Sequence, residues 1–447
     1  MHARVLRRYQ SDLLNTGTFS VISPYSARQV AAQSGFSFLG GISTHSTQIA
    51  YHFFDQSDFW LLTNTLATGH QLAEVIVDRC GQRFYLTPKG REKTCAIGPV
   101  ELGWLRQRSE QARAAGIGAR TLIIGHRNFA HLLWNELPAL DAWMAEATDE
   151  AIAKLSVVAL AEPLGPLRDI FPRLTLAKVR SPSQRLLQRE SMDTGLVVRV
   201  GSVLVTSRVR KLVWDYTRTR ENVGAIAEVN SALTTHWPRI WVSVRSGSRT
   251  PDNQEAFLQA VIRRIFGEYP DAAIVFDGFS YPVDFFADNR TKVLREPFVA
   301  RAESTAATIQ SLSRIISHEL GEKAGSSLYS ISGLGLPEAF SVGSKCDFYI
   351  CHGGTLQHKI HWMHNKPGFV HCHHLERRSA QWYACQVEGG QTPDVLPERL
   401  AVPSGVPTDP LKPPEPRHLN YIITDIEEAS KCVIASMRRH LNSANAA

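Results

Sequence analysis

The run His352-Gly353-Gly354-Thr355 stands where an apolar stretch, Asp347 to Cys351, gives way to a helical pattern over about Thr355 to Asn365. A continuous apolar run of this length is what a buried parallel strand shows. Two glycines permit backbone angles and close approaches that a side chain forbids. A Gly-rich turn between strand and helix gathers free backbone N–H groups and the positive end of a helix at one spot, which suits a phosphate. Lys359 follows one turn into the helix, and Pro367-Gly368 ends it before the next apolar strand, Phe369-Val370-His371. The chemistry implied is a nucleotide or nucleotide-sugar site; a tight turn in any doubly wound sheet would read the same way.

Two further segments carry polar groups just after a strand. Ser243-Val244-Arg245-Ser246-Gly247-Ser248-Arg249 follows the apolar run Arg239 to Val244. Its two arginines and small hydroxyls make a diphosphate clamp, or else a basic surface loop. The segment Gly125 to Pro138 follows the strand Thr121 to Ile124 and holds His126, His131, Asn135 and Glu136. The carboxyl edge of an open α/β sheet is where ligands bind. His131 and Asn135, four apart, share a helix face. His131 titrates near neutral pH and could be a general base, or a partly buried structural residue. Glu136 points about 140° away from His131 at ~100° per residue, unless Pro138 distorts the helix.

Seven of the 17 histidines fall at 352, 358, 361, 364, 371, 373 and 374. Adjacent pairs could share a zinc ion, which would make the chain a metal-dependent hydrolase built on the cluster from His352 to His374. No carboxylate stands at H-E-x-x-H spacing, and only Cys351 and Cys372 offer thiols nearby. The chain also contains no D-x-D pair for a diphosphate-bound divalent metal. Helix N-terminus and arginines would then neutralise the phosphates, so the expectation is a metal-independent site with no cofactor beyond a nucleotide-sugar co-substrate.

The elements that must position these residues alternate. Residues 1–100 are β-rich, with short runs at Gln48 to Phe54, Phe59 to Leu62 and Arg83 to Leu86. Beyond 100, strands alternate with helices, which implies α/β layers. Two units follow, 101–237 and 238–402, resembling paired Rossmann-like domains facing a cleft. Residues 403–447 read as a Pro-rich connector and an amphipathic helix. Within this scheme Val203 to Val205 is a strand, Val213 to His236 one long helix, Thr305 to Leu320 another, and Asp252 the cap of the helix from Asn253.

A chain of 447 residues is long for one core, and 43% hydrophobic with 20% charged residues is ordinary globular composition. A net charge of +7 favours anionic ligands or a peripheral membrane contact. The basic blocks of a nucleic-acid binder are missing, and Arg208 to Lys211 reads as a surface turn. No apolar run of transmembrane length and no signal core is present, and the seven cysteines form no C-x-x-C pair, which together point to a reducing cytoplasm.

Three of these segments, in this order, look like one family. His131 with Leu132-Leu-Trp-Asn-Glu-Leu-Pro-Ala-Leu140 resembles the H-W-L-x-E-x-L-P-R-L segment of glycosyltransferase family 61. His352-Gly-Gly-Thr-Leu356 resembles its H-G-A-G-L turn, and Arg239 to Arg245 its strand ending in arginine. The likeness spans about residues 120 to 375. Leu132 replaces a tryptophan, Ala139 an arginine, and Gln357, His358 and Lys359 stand where many GT-B enzymes carry a ribose-gripping acid. The resemblance implies a GT-B fold and transfer of sugar from a nucleotide sugar to a glycan acceptor. It places His131 and Glu136 on the acceptor side, and Arg245 with His352 to Thr355 on the donor side. A non-catalytic nucleotide-binding scaffold for glycan assembly is the non-enzymatic alternative.

Overall fold

The computed structural model describes residues 2–38, 48–63, 72–85, 98–115, 120–181, 196–288, 295–373, 376–377, 384–404 and 419–445. It is an α/β protein with two parallel sheets and a small antiparallel region near the N-terminus. Contacts divide it into two compact units, Met1–Val209 and Arg210–Ala447. The division falls inside the helix Ser207–Arg218, upstream of the 237/238 limit expected from the sequence. Arg208 to Lys211 is therefore helix rather than turn, and Arg208 pairs with Asp141 at 3.0 Å.

The first unit opens with the helix His2–Thr16, followed by the antiparallel pair β1 (Ser20–Ile22) and β2 (Gln29–Ala31). A five-stranded antiparallel sheet follows in chain order: β3 (Ser34–Phe38), β4 (Gln48–Asp55), β5 (Ser57–Thr63), β6 (Leu72–Asp78) and β7 (Arg83–Tyr85). Alternation sorts its faces. Phe36, Ala50, Trp60, Leu62 and Val77 pack with Leu102 and Leu105 of the helix Pro99–Ala115. Strand β3 reaches the unit's parallel sheet through a bridge from Gly35 to Leu196. A Cβ on Gly35 would lie 2.7 Å from the Tyr51 ring, so this approach requires glycine.

That parallel sheet holds β8 (Arg120–Ile124), β9 (Leu155–Ala159), β10 (Lys178–Arg180) and β11 (Val197–Arg199), in the order β10-β9-β8-β11. The strand expected at Val203 to Val205 is instead β11. Val197 and Val198 are buried against β8, whereas Val203 and Leu204 are exposed.

The second unit carries β12 (Arg239–Ser243), β13 (Ala273–Asp277), β14 (Leu328–Ser330), β15 (Phe348–His352), β16 (Gly368–His371) and β17 (Asp394–Val395), all parallel. The order β14-β13-β12-β15-β16-β17 is that of a doubly wound nucleotide-binding sheet. Ile240, Val242, Ile274 and Phe276 face the helices Gln254–Glu268, Arg295–Leu320 and Ile426–Asn445. Trp241, Val275, Tyr349 and Cys351 face Ala227–Thr235, Leu336–Lys345 and Thr355–His364. Both faces are covered, so these strands show no polar alternation.

Three local expectations change. The span Val213 to His236 is broken into Ser207–Arg218, a 3-10 turn Val223–Ile226 and Ala227–Thr235, because Asn222 accepts from the Ala225 N–H and starts a new turn. The helix expected from Thr305 begins at Arg295. Asn253, not Asp252, stands at the N-cap of Gln254–Glu268, and its side chain bonds both Ile423 backbone groups instead, at 2.8 and 3.1 Å. Those bonds hold β19 (Tyr421–Ile423), which pairs with β18 (Ala401–Pro403). Residues 405–418, most of the expected connector, lie outside the described residues. Among the described residues no helix is long and apolar enough to cross a membrane.

Candidate functional site

In the second sheet the strand order reverses between β12 and β15, and their carboxyl ends define the crevice where such folds take ligands. Ser243 ends β12 and His352 ends β15. Ser243 Oγ accepts from the His352 backbone N–H at 2.9 Å and lies 2.8 Å from His352 Nδ1. His371, beside it on β16, has Nδ1 2.7 Å from the Tyr421 hydroxyl, and the two imidazole centroids are 4.4 Å apart. Burial drives His352 well below the ordinary histidine range and His371 to about 3, so both are neutral. Their Nε2 atoms are buried and find no hydrogen-bond partner among the described residues.

Past His352 the chain turns at Gly353-Gly354 into the helix Thr355–His364. Gly354 has φ +101, and a Cβ there would lie 2.9 Å from Arg249 Nη1. The Arg249 guanidinium therefore rests directly on the bare turn. Arg249 is itself left-handed, at φ 64. Its Nε pairs with Glu376 at 2.9 Å. Arg245 is held through its backbone, which exchanges two 3.0 Å bonds with the Gln254 amide. Burial first and Arg249 second lower the Arg245 guanidinium to about 10. Arg249 and Arg301 both act on Arg245, and the Glu376 carboxylate meets Arg249 and Arg245. A cationic cluster at a helix N-terminus has the charge an anion would need. Ser246, the other expected clamp residue, contacts Thr305 at 3.3 Å.

Lys359 does not join this cluster. Its ammonium is buried and donates to Asp277 Oδ1 at 2.5 Å, the Gly278 carbonyl at 2.7 Å and Ser280 Oγ at 3.0 Å. All three N–H groups are spent tying the turn helix to the end of β13. Burial raises Asp277 to about 6 despite the lysine.

The histidines after the turn separate. His358 stacks on Trp362 at 3.5 Å, His361 lies 5.8 Å from the Tyr349 ring, and His364 sits edge-on to Trp214 at 5.1 Å. Burial lowers His361 to about 4 and His364 to about 3. Among the described residues no three His, Cys, Asp or Glu side chains could hold a metal; His374 lies outside them.

In the first unit the sheet order reverses between β8 and β11, and the segment Gly125 to Pro138 sits at that edge. The helix there is continuous but opens into a π turn, Leu132–Glu136, between Phe129–His131 and Leu137–Glu146. Pro138 lacks the N–H that would bond the Trp134 carbonyl and its ring crowds that group, so the turn widens. His126 is buried, and its Nδ1 lies 2.9 Å from the Asn128 N–H. His131 is half-buried, 4.7 Å from His126 between ring centroids, with Nδ1 3.1 Å from Asn135 Oδ1. Glu136 is fully buried. One oxygen pairs with Arg199 at 3.0 Å and the other accepts from the Gly125 N–H at 2.8 Å. Burial raises its pKa while Arg199 opposes the rise. Gly125, at φ +112, has room for no side chain, since a Cβ would stand 2.4 Å from the Ala161 carbonyl oxygen.

No family model and no curated protein matches the chain. Among solved structures it is similar to the E. coli ADP-heptose lipopolysaccharide heptosyltransferase II, at 11% identity and a TM-score of 0.39, over 73% of this chain and 99% of that one. A Methanocaldococcus jannaschii UDP-GlcNAc 2-epimerase, in complex with UDP-GlcNAc and UDP, is similar over 60% of this chain and 64% of its own, at 12% identity and 0.23. A trehalose 6-phosphate synthase from Burkholderia multivorans is similar over 78% and 69%, at 11% and 0.26. Likeness of this degree assigns no activity, so the residues have to.

Sequence reasoning missed Arg199, Glu376 and Tyr421, and read His371 only as a candidate metal ligand. Each meets its partner across a long separation: Arg199 and Glu136 are 63 residues apart, and Tyr421 and His371 are 50 apart. Only the charge of Arg199 at the end of an apolar strand was a readable signal.

Proposed function

We propose that the chain is a glycosyltransferase that moves a sugar from a nucleotide sugar to a glycan hydroxyl without a metal ion. The observation that carries this reading is the bare Gly353-Gly354 turn, at a strand-order reversal, with the Arg249 guanidinium laid on it and Arg245 alongside. A diphosphate there would meet helix N–H groups and two guanidinium forks at once. In the transfer, the acceptor oxygen bonds to the anomeric carbon as the bond from that carbon to the phosphate oxygen breaks. The diphosphate leaves with the bonding pair, and Arg245, Arg249 and the turn N–H groups stabilise its charge. His131 takes the acceptor proton. Glu136 is better suited to support than to proton transfer, because both its oxygens are engaged and it is closed to solvent. Lys359 likewise braces the turn rather than touching the donor.

The test is release of nucleoside diphosphate from a panel of nucleotide sugars, with and without glycan acceptors, in excess EDTA. Acceptor-dependent release that is lost in Arg245→Ala supports the reading. Release that needs zinc or manganese, or none from any donor, overturns it.

A further inference from the structure

We infer that Asn135 is a positioning residue that holds His131 in the one tautomer able to act as a base, which rests on the assignment of His131 as that base. The reasoning starts at Ser202, in the loop after β11. Its carbonyl can only accept, and Asn135 Nδ2 lies 2.9 Å from it. The amide orientation of Asn135 is thereby set, and its Oδ1 faces the other way, 3.1 Å from His131 Nδ1. A side-chain carbonyl oxygen can only accept, so His131 Nδ1 carries the ring proton. Nε2 is then the nitrogen with the lone pair.

The contact is built rather than incidental. Asn135 is fully buried, and its backbone carbonyl accepts from the Ser202 N–H at 2.6 Å, so two bonds join the residues. The next residue back, Gly201, donates to Gln10 Oε1 at 3.0 Å and pins the loop from the other side. His126 is placed differently. Its Nδ1 lies 2.9 Å from the Asn128 N–H and 3.2 Å from the Asn128 carbonyl, so no single tautomer is imposed on it. Of the two neighbouring imidazoles, only His131 has Nδ1 against a side-chain oxygen whose orientation a second bond fixes.

Nitrogen-15 NMR of the histidine side chains in the full chain reads the tautomer directly, without any activity. The wild type should show His131 protonated at Nδ1 at neutral pH. In Asn135→Ala the proton should move toward Nε2, with turnover down roughly 10²-fold and KM for the donor little changed. Asn135→Asp removes the bond to the Ser202 carbonyl as well, but its carboxylate still accepts from Nδ1, so it should restore the Nδ1 proton and most of the turnover. A purely structural tether would fail in both variants. The inference is overturned by a wild-type His131 protonated at Nε2, by an alanine variant that keeps either the Nδ1 proton or full turnover, or by an aspartate variant that does not restore the Nδ1 proton. If His131→Ala keeps normal turnover, the base assignment fails while the tautomer measurement still stands by itself.

Discussion

At the scale of single residues, two kinds of buried charge divide the labour. Among the described residues Arg245 and Arg249 share the one carboxylate of Glu376, the charge balance the proposed diphosphate would complete. Arg199 with Glu136, and Lys359 with Asp277, are closed pairs that hold backbone in place. Removing one member of a closed pair strands the other. Glu136→Gln should therefore destabilise the first unit by about 3–5 kcal/mol, seen as a lower urea midpoint, because Arg199 would stay buried without a counter-charge. An unchanged midpoint would mean that water already screens the pair. His131→Ala should act the other way round. Turnover should fall by roughly 10²–10⁴-fold with stability and donor affinity nearly intact. Steady-state kinetics beside a melting curve separates the two outcomes, and near-normal turnover would remove His131 from the chemistry.

At the scale of elements, the strand–turn–helix–strand run from Asp347 to His371 was legible in the sequence almost residue by residue. Its cues were local: an apolar run, two glycines, a Pro-Gly stop. The arginine loop was legible for the same reason. The π turn was not, although Pro138 hinted at a distortion, because a widened turn leaves the helical pattern unchanged. Nor could the sequence show that β19 fastens the arginine loop, since that rests on Asn253 and Asn420 meeting backbone 170 residues away. Asn253→Ala should accordingly weaken nucleotide binding without touching a phosphate, and calorimetry should show the loss. The buried histidines of the second unit predict its pH dependence. His361, His364 and His371 sit at about 4, 3 and 3, and His352 is also held well below the free value, so the unfolded chain binds four more protons between about pH 6 and 4. Asp277, at about 6, binds one more when folded and offsets one of them. The net sign is a loss of stability as pH falls through the range where the unfolded histidines take up protons. Melting curves from pH 7 to 4.5 should show a steady drop, and a flat profile would contradict the burial of these rings.

At the scale of the whole molecule, the two units repeat one device. In each, a parallel sheet reverses its order, and a glycine at positive φ opens the loop at the reversal: Gly125 in the first and Gly354 in the second. The α/β alternation that announced this was plain in the sequence; where the units divide was not, because the helix Ser207–Arg218 crosses the limit without a break. The central claim is that the second reversal binds a nucleotide diphosphate on bare backbone under Arg249. Isothermal calorimetry of nucleoside diphosphates and their sugars, titrated into the wild type and into Gly354→Val, tests it most directly. A valine there would carry a side chain into the space held by Arg249, at a backbone angle that side chains avoid. The account predicts a measurable heat with at least one nucleotide in the wild type, abolished in a variant that still melts cooperatively; equal affinity in both proteins would contradict it.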